Sequence, residues 1–244
     1  MRRLIRALAL VLGLSANETA WAQNHATQPS GAAPDPIQAM FSGWKVAYHH
    51  VIPTAHVGDN VGPTRQAGVV QPFPDLQSPR HQNLLVLARE RYSQARFLEA
   101  VGAIQPALGD EPDNPFVLNE YARALFQIDS LRPVARQQYQ RLEAILVGGE
   151  TPESTVVIDM WFPDAYWKLG MLYLDAGNYS GAYLELAKVA LTNPSSPVIR
   201  EQLYAYLAEA AFHLGEQPTA DWFIDKTLEL DPANQYVLRF RARR

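Results

Sequence analysis

Three histidines in one short stretch are the first residues of this sequence whose types could support chemistry. His49, His50 and His56 fall within eight residues, and Asp59 follows closely. A zinc site needs neutral imidazoles that converge from rigid elements, often with a carboxylate. Neighbouring side chains on a strand point to opposite faces, however, and the flanking residues are loop formers. We therefore interpret these histidines as polar residues of an irregular segment and expect no metal and no cofactor.

Motifs for nucleophilic or phosphate chemistry do not occur in the sequence. No serine lies in a nucleophile-elbow motif, and there is no glycine-rich phosphate-binding loop. The acidic residues fall mainly on predicted helix surfaces, where solvated charges are common. We expect a protein that is not an enzyme.

Composition narrows the class of protein further. The chain has 244 residues, 48% of them hydrophobic, so there is ample material for a core. Lysine and arginine number 21 against 25 acidic residues, a net charge of −4. Because there is no basic excess, nucleic acid is not an expected partner. The sequence has no cysteine, so packing alone must stabilise the fold.

The N-terminus has the features of a cleavable signal peptide. Three arginines at positions 2, 3 and 6 precede the apolar run Ala7–Leu14, and the small-residue pair Ala20 and Ala22 follows. The apolar run is too short to span a bilayer. We expect cleavage after Ala22, a periplasmic or secreted mature chain, and no stable membrane span after cleavage.

The region after residues 1–22 changes composition twice before helical periodicity begins. Residues 23–40 are rich in Pro, Ala, Gln and Ser, which indicates a flexible linker. Residues 41–80 combine aromatic and valine residues with many Pro and Gly breakers, which indicates an irregular lead-in. A short strand fits only the alternation around Lys45–Ile52.

A spacing of small residues, alanines and prolines recurs from about Arg80 onward. The small residues, each preceded by a bulky one, are Ala88, Ala122, Gly170 and Ala208. In three units an alanine follows twelve residues later and a proline twenty-four residues later: Ala100 and Pro112, Ala182 and Pro194, Ala220 and Pro232. Small residues let two antiparallel helices cross closely, and proline ends the second helix. The pattern therefore predicts repeated helical hairpins.

The second unit departs from this spacing. One extra residue near Arg132 moves its alanine and aromatic to Ala135 and Tyr139, and Gly148-Gly149 stands in place of the closing proline. Turn and cap signals elsewhere agree with the pattern. The predicted turns are Gly177-Asn178 and Gly215-Glu216, and the predicted N-caps are Asn114-Pro115 and Ser196-Pro197.

This spacing resembles the tetratricopeptide repeat, whose period is about 34 residues. The resemblance extends from about Arg80 to the C-terminus. It implies an all-α solenoid of about four repeats, closed by a capping helix that hides the apolar face of the last unit. The implied repeat domain is 81–244, with units 81–114, 115–149, 163–196 and 201–234, an insertion at 150–162 and a capping helix at 235–244.

The resemblance also implies a peptide-binding surface. In this family, the first helices of the hairpins form a concave face. The corresponding positions here are Leu85, Arg89, Tyr92, Asn119, Arg123, Phe126, Trp167, Met171, Leu174, Ala205, Glu209 and Phe212. Some relatives hold a terminal carboxylate with a lysine and asparagines. In this chain Leu85 replaces that lysine, and Arg89 and Arg123 replace two of the asparagines, so that clamp is not expected here.

Two interpretations of this face stay open. Arginine pairs bidentately with carboxylates, so one hypothesis is an extended partner with an acidic end near Arg89 and Arg123 and apolar side chains near Trp167 and Phe212. In the alternative, the arginines pair within the chain, for instance with Glu120, and Trp167 packs internally.

The insertion is unusually apolar for a connection. Val156, Ile158, Trp161 and Phe162 lie within it. We favour an insertion that folds back and packs on the repeats. The alternative is an exposed patch or strand that binds a partner.

The function that we expect is an exported protein- or peptide-binding scaffold or adaptor, in envelope assembly or secretion. Two alternatives stay open. One is an enzymatic or metal-dependent module centred on residues 41–80 with the repeats as an accessory. The other is a structural subunit whose repeats oligomerise.

Overall fold

The computed structural model describes residues 34–49, 79–148 and 155–242. The predicted signal peptide, His50 and His56 therefore lie outside the described residues. The described chain is mostly helical. Its elements, in chain order, are α1 (Pro36–Met40), β1 (Lys45–His49), α2 (Pro79–Ser93), α3 (Phe97–Asp110), α4 (Pro115–Phe126), α5 (Arg132–Val147), β2 (Thr155–Asp159), α6 (Pro163–Asp175), α7 (Tyr179–Leu191), α8 (Pro197–His213), α9 (Gln217–Leu230) and α10 (Gln235–Arg241).

The chain divides into two compact units. Of the described residues, those within Gly43–Leu172 form the central unit, and those up to Ser42 together with those from Tyr173 onward form the terminal unit. In the central unit, α2 packs on α3, α3 on α4, and α4 on α5. Ala88 and Ala100 are buried in the first hairpin, as the close helix crossing requires. The hairpins of the central unit thus follow the predicted spacing.

The second hairpin has the register shift that the sequence predicts. A short 3₁₀ turn, Asp129–Leu131, precedes α5. Ala135 and Tyr139 are fully buried, whereas Val134 is only half-buried. The helix ends at Gly148, whose φ of +66° is the left-handed conformation that glycine adopts without strain.

The central unit also contains a two-stranded parallel sheet. Lys45 pairs with Thr155 and His49 with Asp159, so residues more than a hundred positions apart share one ladder. Met160 N–H extends the pairing by donating to His49 O over 2.9 Å. β2 contacts α5. The short strand that alternation allowed around Lys45–Ile52 is present at Lys45–His49, where backbone pairing with the insertion orders the segment, so the irregular lead-in expected for residues 41–80 is corrected at these residues. The described chain is mostly helical and contains this strand pair in addition.

In the terminal unit, α8 packs on α7 and α9, and α10 packs on both α8 and α9. Val237 and Phe240 of α10 are buried in these contacts. Ala208 and Ala220, which the spacing placed at the crossing of α8 and α9, are fully buried. The last helix therefore covers apolar surface of the final hairpin, as a capping helix must.

A short N-terminal helix is the second correction to the sequence analysis. Asp35 caps α1 by accepting from Ile37 N–H over 2.8 Å, and Pro36 occupies its first turn. Ile37 and Phe41 are buried, and α1 contacts α7. The linker predicted for residues 23–40 is therefore wrong from position 34 onward, because burial of these apolar side chains holds the segment on the terminal unit.

The predicted caps and turns are confirmed. Asn114 accepts from the N–H groups of Phe116 and Val117, and Ser196 caps α8. Gly177 and Gly215 have φ values of +70° and +74°, the left-handed conformation that the tight turns after α6 and α8 require.

Candidate peptide-binding face

A cluster of polar and aromatic side chains joins the first helices of the two hairpins in the central unit. α2 contributes Arg89 and Tyr92, α4 contributes Glu120 and Arg123, and Gln127 follows α4 directly. We call these five residues the first-helix cluster. The two helices contact each other, and their 3.6-residue period brings these side chains to one face.

Glu120 lies between the two arginines. Its Oε1 accepts from Arg89 Nε and lies 2.9 Å from Arg89 Nη2, and its Oε2 lies 3.6 Å from Arg123 Nη1. The Glu120 side chain is 7% exposed, whereas those of Arg89 and Arg123 are 55% and 34% exposed. The structure therefore has the intramolecular pairing that was the alternative interpretation of these arginines.

Tyr92 completes the cluster. The Arg123 guanidinium lies 4.2 Å from the centre of the Tyr92 ring, a cation–π contact. Gln127 Nε2 donates to the Tyr92 hydroxyl over 2.7 Å. Burial acts to lower the pKa of Arg123, but its hydrogen bond to Tyr92 and the charge of Glu120 outweigh that effect and raise the pKa. Arg123 is therefore held in place as a permanent cation with part of its surface exposed.

Two buried polar atoms border the cluster without a hydrogen-bond partner among the described residues. They are the Tyr139 hydroxyl and Asn119 Oδ1. Burial raises the pKa of Tyr139 well above its usual value, and the charges of Asp164 and Arg123 are close enough to influence it. The neutral hydroxyl of Tyr139 thus lies buried near the charged cluster.

The aromatic and apolar positions of the predicted face differ in exposure. Phe126 is buried, with Lys168 Nζ 4.7 Å from its ring centre. It was predicted to contact a peptide and is corrected here to a core residue, because α4 turns it inward. Trp167 and Met171 on α6 are half-buried, so part of each side chain remains exposed.

The predicted positions in the terminal unit are mostly engaged within the chain. Glu209 is hydrogen-bonded to the Tyr236 hydroxyl and lies 3.7 Å from Arg239. The Phe212 ring lies 5.2 Å from that of Phe240. Both residues therefore hold α10 on α8. Leu174 is half-buried and Ala205 buried.

The insertion does not form an exposed apolar patch. Val156, Ile158 and Phe162 are buried, and Trp161 is half-buried. The rings of Phe162 and Trp161 lie 5.1 and 6.2 Å from that of Phe116. The partner patch predicted from these four residues is therefore corrected in favour of the expected packing, because strand pairing and ring contacts hide the apolar side chains.

Two further predictions concern metal binding and membranes. Among residues 34–49, 79–148 and 155–242, no three His, Cys, Asp or Glu residues are grouped so that they could hold a metal ion. His49 belongs to β1, and the rest of the short histidine stretch lies outside the described residues. No described helix is long and apolar enough to cross a membrane.

One interaction in the first hairpin was missed from the sequence. His81 Nε2 lies 2.9 Å from Asp110 Oδ2, and its Nδ1 lies 2.5 Å from Glu111 Oε1. Glu111 also accepts from Asn114, the cap of α4. A signal was present, because a histidine at the start of one helix and two acids at the end of its antiparallel partner must lie close together.

Comparison with known proteins defines the fold. No protein-family model matches the sequence, and no curated protein matches it. Among solved structures, pilF from Pseudomonas aeruginosa aligns with a TM-score of 0.52 at 14% identity, covering 67% of each chain. A MamA protein, "MamA RS-1 ArsTM double mutant", aligns with a TM-score of 0.51 at 15% identity, covering 64% of this chain and 77% of that one.

These similarities show a fold built from helical hairpin repeats. Both solved proteins are TPR-like, so the fold of this chain is that of the tetratricopeptide repeat, as the residue spacing predicted. At 14% and 15% identity the comparisons establish the fold alone.

Proposed function

We propose that this protein is a non-enzymatic scaffold that binds an extended segment of a partner protein on the first-helix cluster of its central unit. The observation that carries the proposal is that the Arg89 and Arg123 side chains are partly exposed beside Tyr92. The side chains of Trp167 and Met171, on α6 of the same unit, are also partly exposed. Arginine and aromatic side chains are the residue types that dominate protein interfaces.

The chemistry of the partner follows from these side chains. Arg89 engages Glu120 through Nε and Nη2, so its remaining guanidinium edge is available to a second acceptor. Arg123 is oriented by the Tyr92 ring. Together they favour a carboxylate on the partner, and Trp167 favours an apolar side chain.

We place the proposed site of action in the periplasm or outside the cell. Its support is the signal-peptide pattern of residues 1–22, which predicts a mature chain beginning at Gln23. N-terminal sequencing of the exported protein is expected to give Gln23 as its first residue.

The test of binding is capture of partners from the native envelope with variants of the full-length mature chain. Arg89→Ala combined with Arg123→Ala, and separately Trp167→Ala, are expected to reduce capture of the same partner. Arg141→Ala is the matched control, because the exposure of this arginine lies between those of Arg89 and Arg123, but it lies on α5 and pairs with Asp113. Capture that is equal in all folded variants would place the binding site elsewhere.

A further inference from the structure

Glu120 is the one nearly buried carboxylate of the first-helix cluster, and its position decides how much charge the cluster shows to a partner. A buried carboxylate is unfavourable unless cations and hydrogen bonds compensate it. Arg89 supplies the hydrogen bonds at 2.9 Å, and Arg123 supplies a second positive charge at 3.6 Å. The acid faces inward, whereas the arginines face solvent.

The neighbouring charges leave a small positive excess. Lys168 and Asp164 on α6 lie 4.0 Å apart and balance each other. Arg89 and Arg123 carry two positive charges against the single negative charge of Glu120. The cluster therefore presents one net positive charge, although two arginines line it.

We propose that Glu120 is a specificity-determining residue: an internal counter-ion that limits the anionic charge accepted at this face to about one carboxylate. The inference deepens the proposed function, on which it rests for the identity of the anion as a side chain or terminus of a partner. With Glu120 neutral, the two arginines carry two uncompensated positive charges, and a doubly charged anion is then accommodated.

A purely structural ion pair would explain less of this arrangement. Arg89 is more than half exposed, so solvent screens its attraction to Glu120 and limits what the pair adds to folding stability. Charges at an interface act chiefly on partner selection, because a wrong partner that places a charge opposite another of the same sign is repelled. The position of Glu120 fits that second role.

The first arm of the test uses inorganic phosphate as the probe, so it does not depend on knowing the partner. Glu120→Gln preserves the shape of the side chain and removes its charge. Phosphate is expected to bind this variant about tenfold tighter than wild type at low ionic strength, measured by titration and by the phosphate-dependent rise in melting temperature.

Two control variants isolate the cause. Glu90→Gln removes the same charge from the exposed surface of α2, where the Glu90 carboxylate accepts a hydrogen bond from Gln94 and not from an arginine of the cluster, and it is expected to bind phosphate like wild type. Adding Arg89→Gln to Glu120→Gln is expected to reverse the gain. Phosphate affinity in Glu120→Gln no greater than in Glu90→Gln would overturn the inference.

A complementary variant changes the net charge of the cluster in the opposite direction and keeps Glu120 paired with Arg89. Arg123→Gln removes the excess positive charge and is expected to abolish the weak phosphate binding of wild type. Unchanged binding would also overturn the inference, because the net charge of the cluster would then not govern it.

The second arm uses two synthetic peptides with the same apolar sequence, one bearing only its terminal carboxylate and one bearing two further aspartates. The preference for the more acidic peptide is expected to rise about tenfold in Glu120→Gln. Failure of both peptides to bind, with the phosphate results as expected, would contradict the proposed peptide binding and leave the role of Glu120 intact. An unchanged preference between bound peptides would overturn the inference.

Discussion

His81 connects the beginning of α2 to the end of α3 through both of its ring nitrogens. Hydrogen bonds to Asp110 and Glu111 raise the pKa of His81 above its ordinary value of 6.5. A histidine whose pKa is higher in the folded than in the unfolded state stabilises the fold in its protonated form. That stabilisation is fully present below pH 6.5 and is lost as the pH rises through the pKa of the folded state.

The comparison of wild type with His81→Gln tests this interaction by urea unfolding across a range of pH. The free energy of unfolding of wild type is expected to exceed that of His81→Gln most below pH 6.5. The difference is expected to shrink as the pH rises. An advantage that is independent of pH, or that grows as the pH rises, would show that the protonated histidine does not stabilise the hairpin.

The residues of the proposed binding face were only partly predictable from sequence. The repeat spacing placed Arg89 and Arg123 on the first helices and allowed Glu120 as their partner, and the structure has these pairs. Phe126 was placed on the surface because a repeat position does not reveal how far a helix rotates a side chain inward. The contact of His81 with Asp110 and Glu111 was missed, although the predicted hairpin brings the start of α2 beside the end of α3, because helical periodicity alone does not show which side chains meet there.

At the scale of elements, the predicted repeat pattern places an alanine near the start of α3, α7 and α9. Ala100, Ala182 and Ala220 are all fully buried. Replacing each with leucine is expected to destabilise the fold by about 1–3 kcal/mol, because extra methylene groups force neighbouring side chains and backbone to move. Thermal and urea unfolding measure the effect, and the exposed Ala144→Leu is the control. Equal stability of all four variants would contradict the helix pairing.

The short helix α1 is expected to be part of the folded terminal unit. Removing residues 23–42 should lower the melting temperature and speed amide exchange in α7, because Ile37 and Phe41 lose their buried positions. Removing residues 23–33 alone should have little effect on either measurement. Similar exchange in α7 after both deletions would mean that α1 does not stabilise that helix.

Elements that depend on local pattern were predicted better than elements that depend on distant partners. The second hairpin illustrates the first case, because the extra residue near Arg132 correctly predicted burial of Ala135 and Tyr139. The β1–β2 pair illustrates the second. Alternation allowed a strand near Lys45, but its pairing with Thr155–Asp159 joins segments that no local rule connects. The helix α1 was not predicted, because the composition of residues 23–40 is typical of linkers.

At the scale of the whole molecule, the described residues have the fold of tetratricopeptide repeats with two additions, the α1 helix and the parallel strand pair. Both additions bring N-terminal residues into the folded structure. The central unit retains a charged and aromatic cluster on its first helices, which is the feature that the proposed function requires. Partner binding at this face is therefore the central claim.

Site-specific photocrosslinking in the living source cell tests this claim most directly. A photoreactive amino acid at Met171, which is half-buried on α6, samples the proposed face, and the same amino acid at Ala144, exposed on α5, samples a second helix. The account predicts a discrete protein adduct from position 171 that disappears when Arg89 and Arg123 are both alanine, and no such adduct from position 144. An adduct from position 144 alone, or one from position 171 that persists without both arginines, would contradict it.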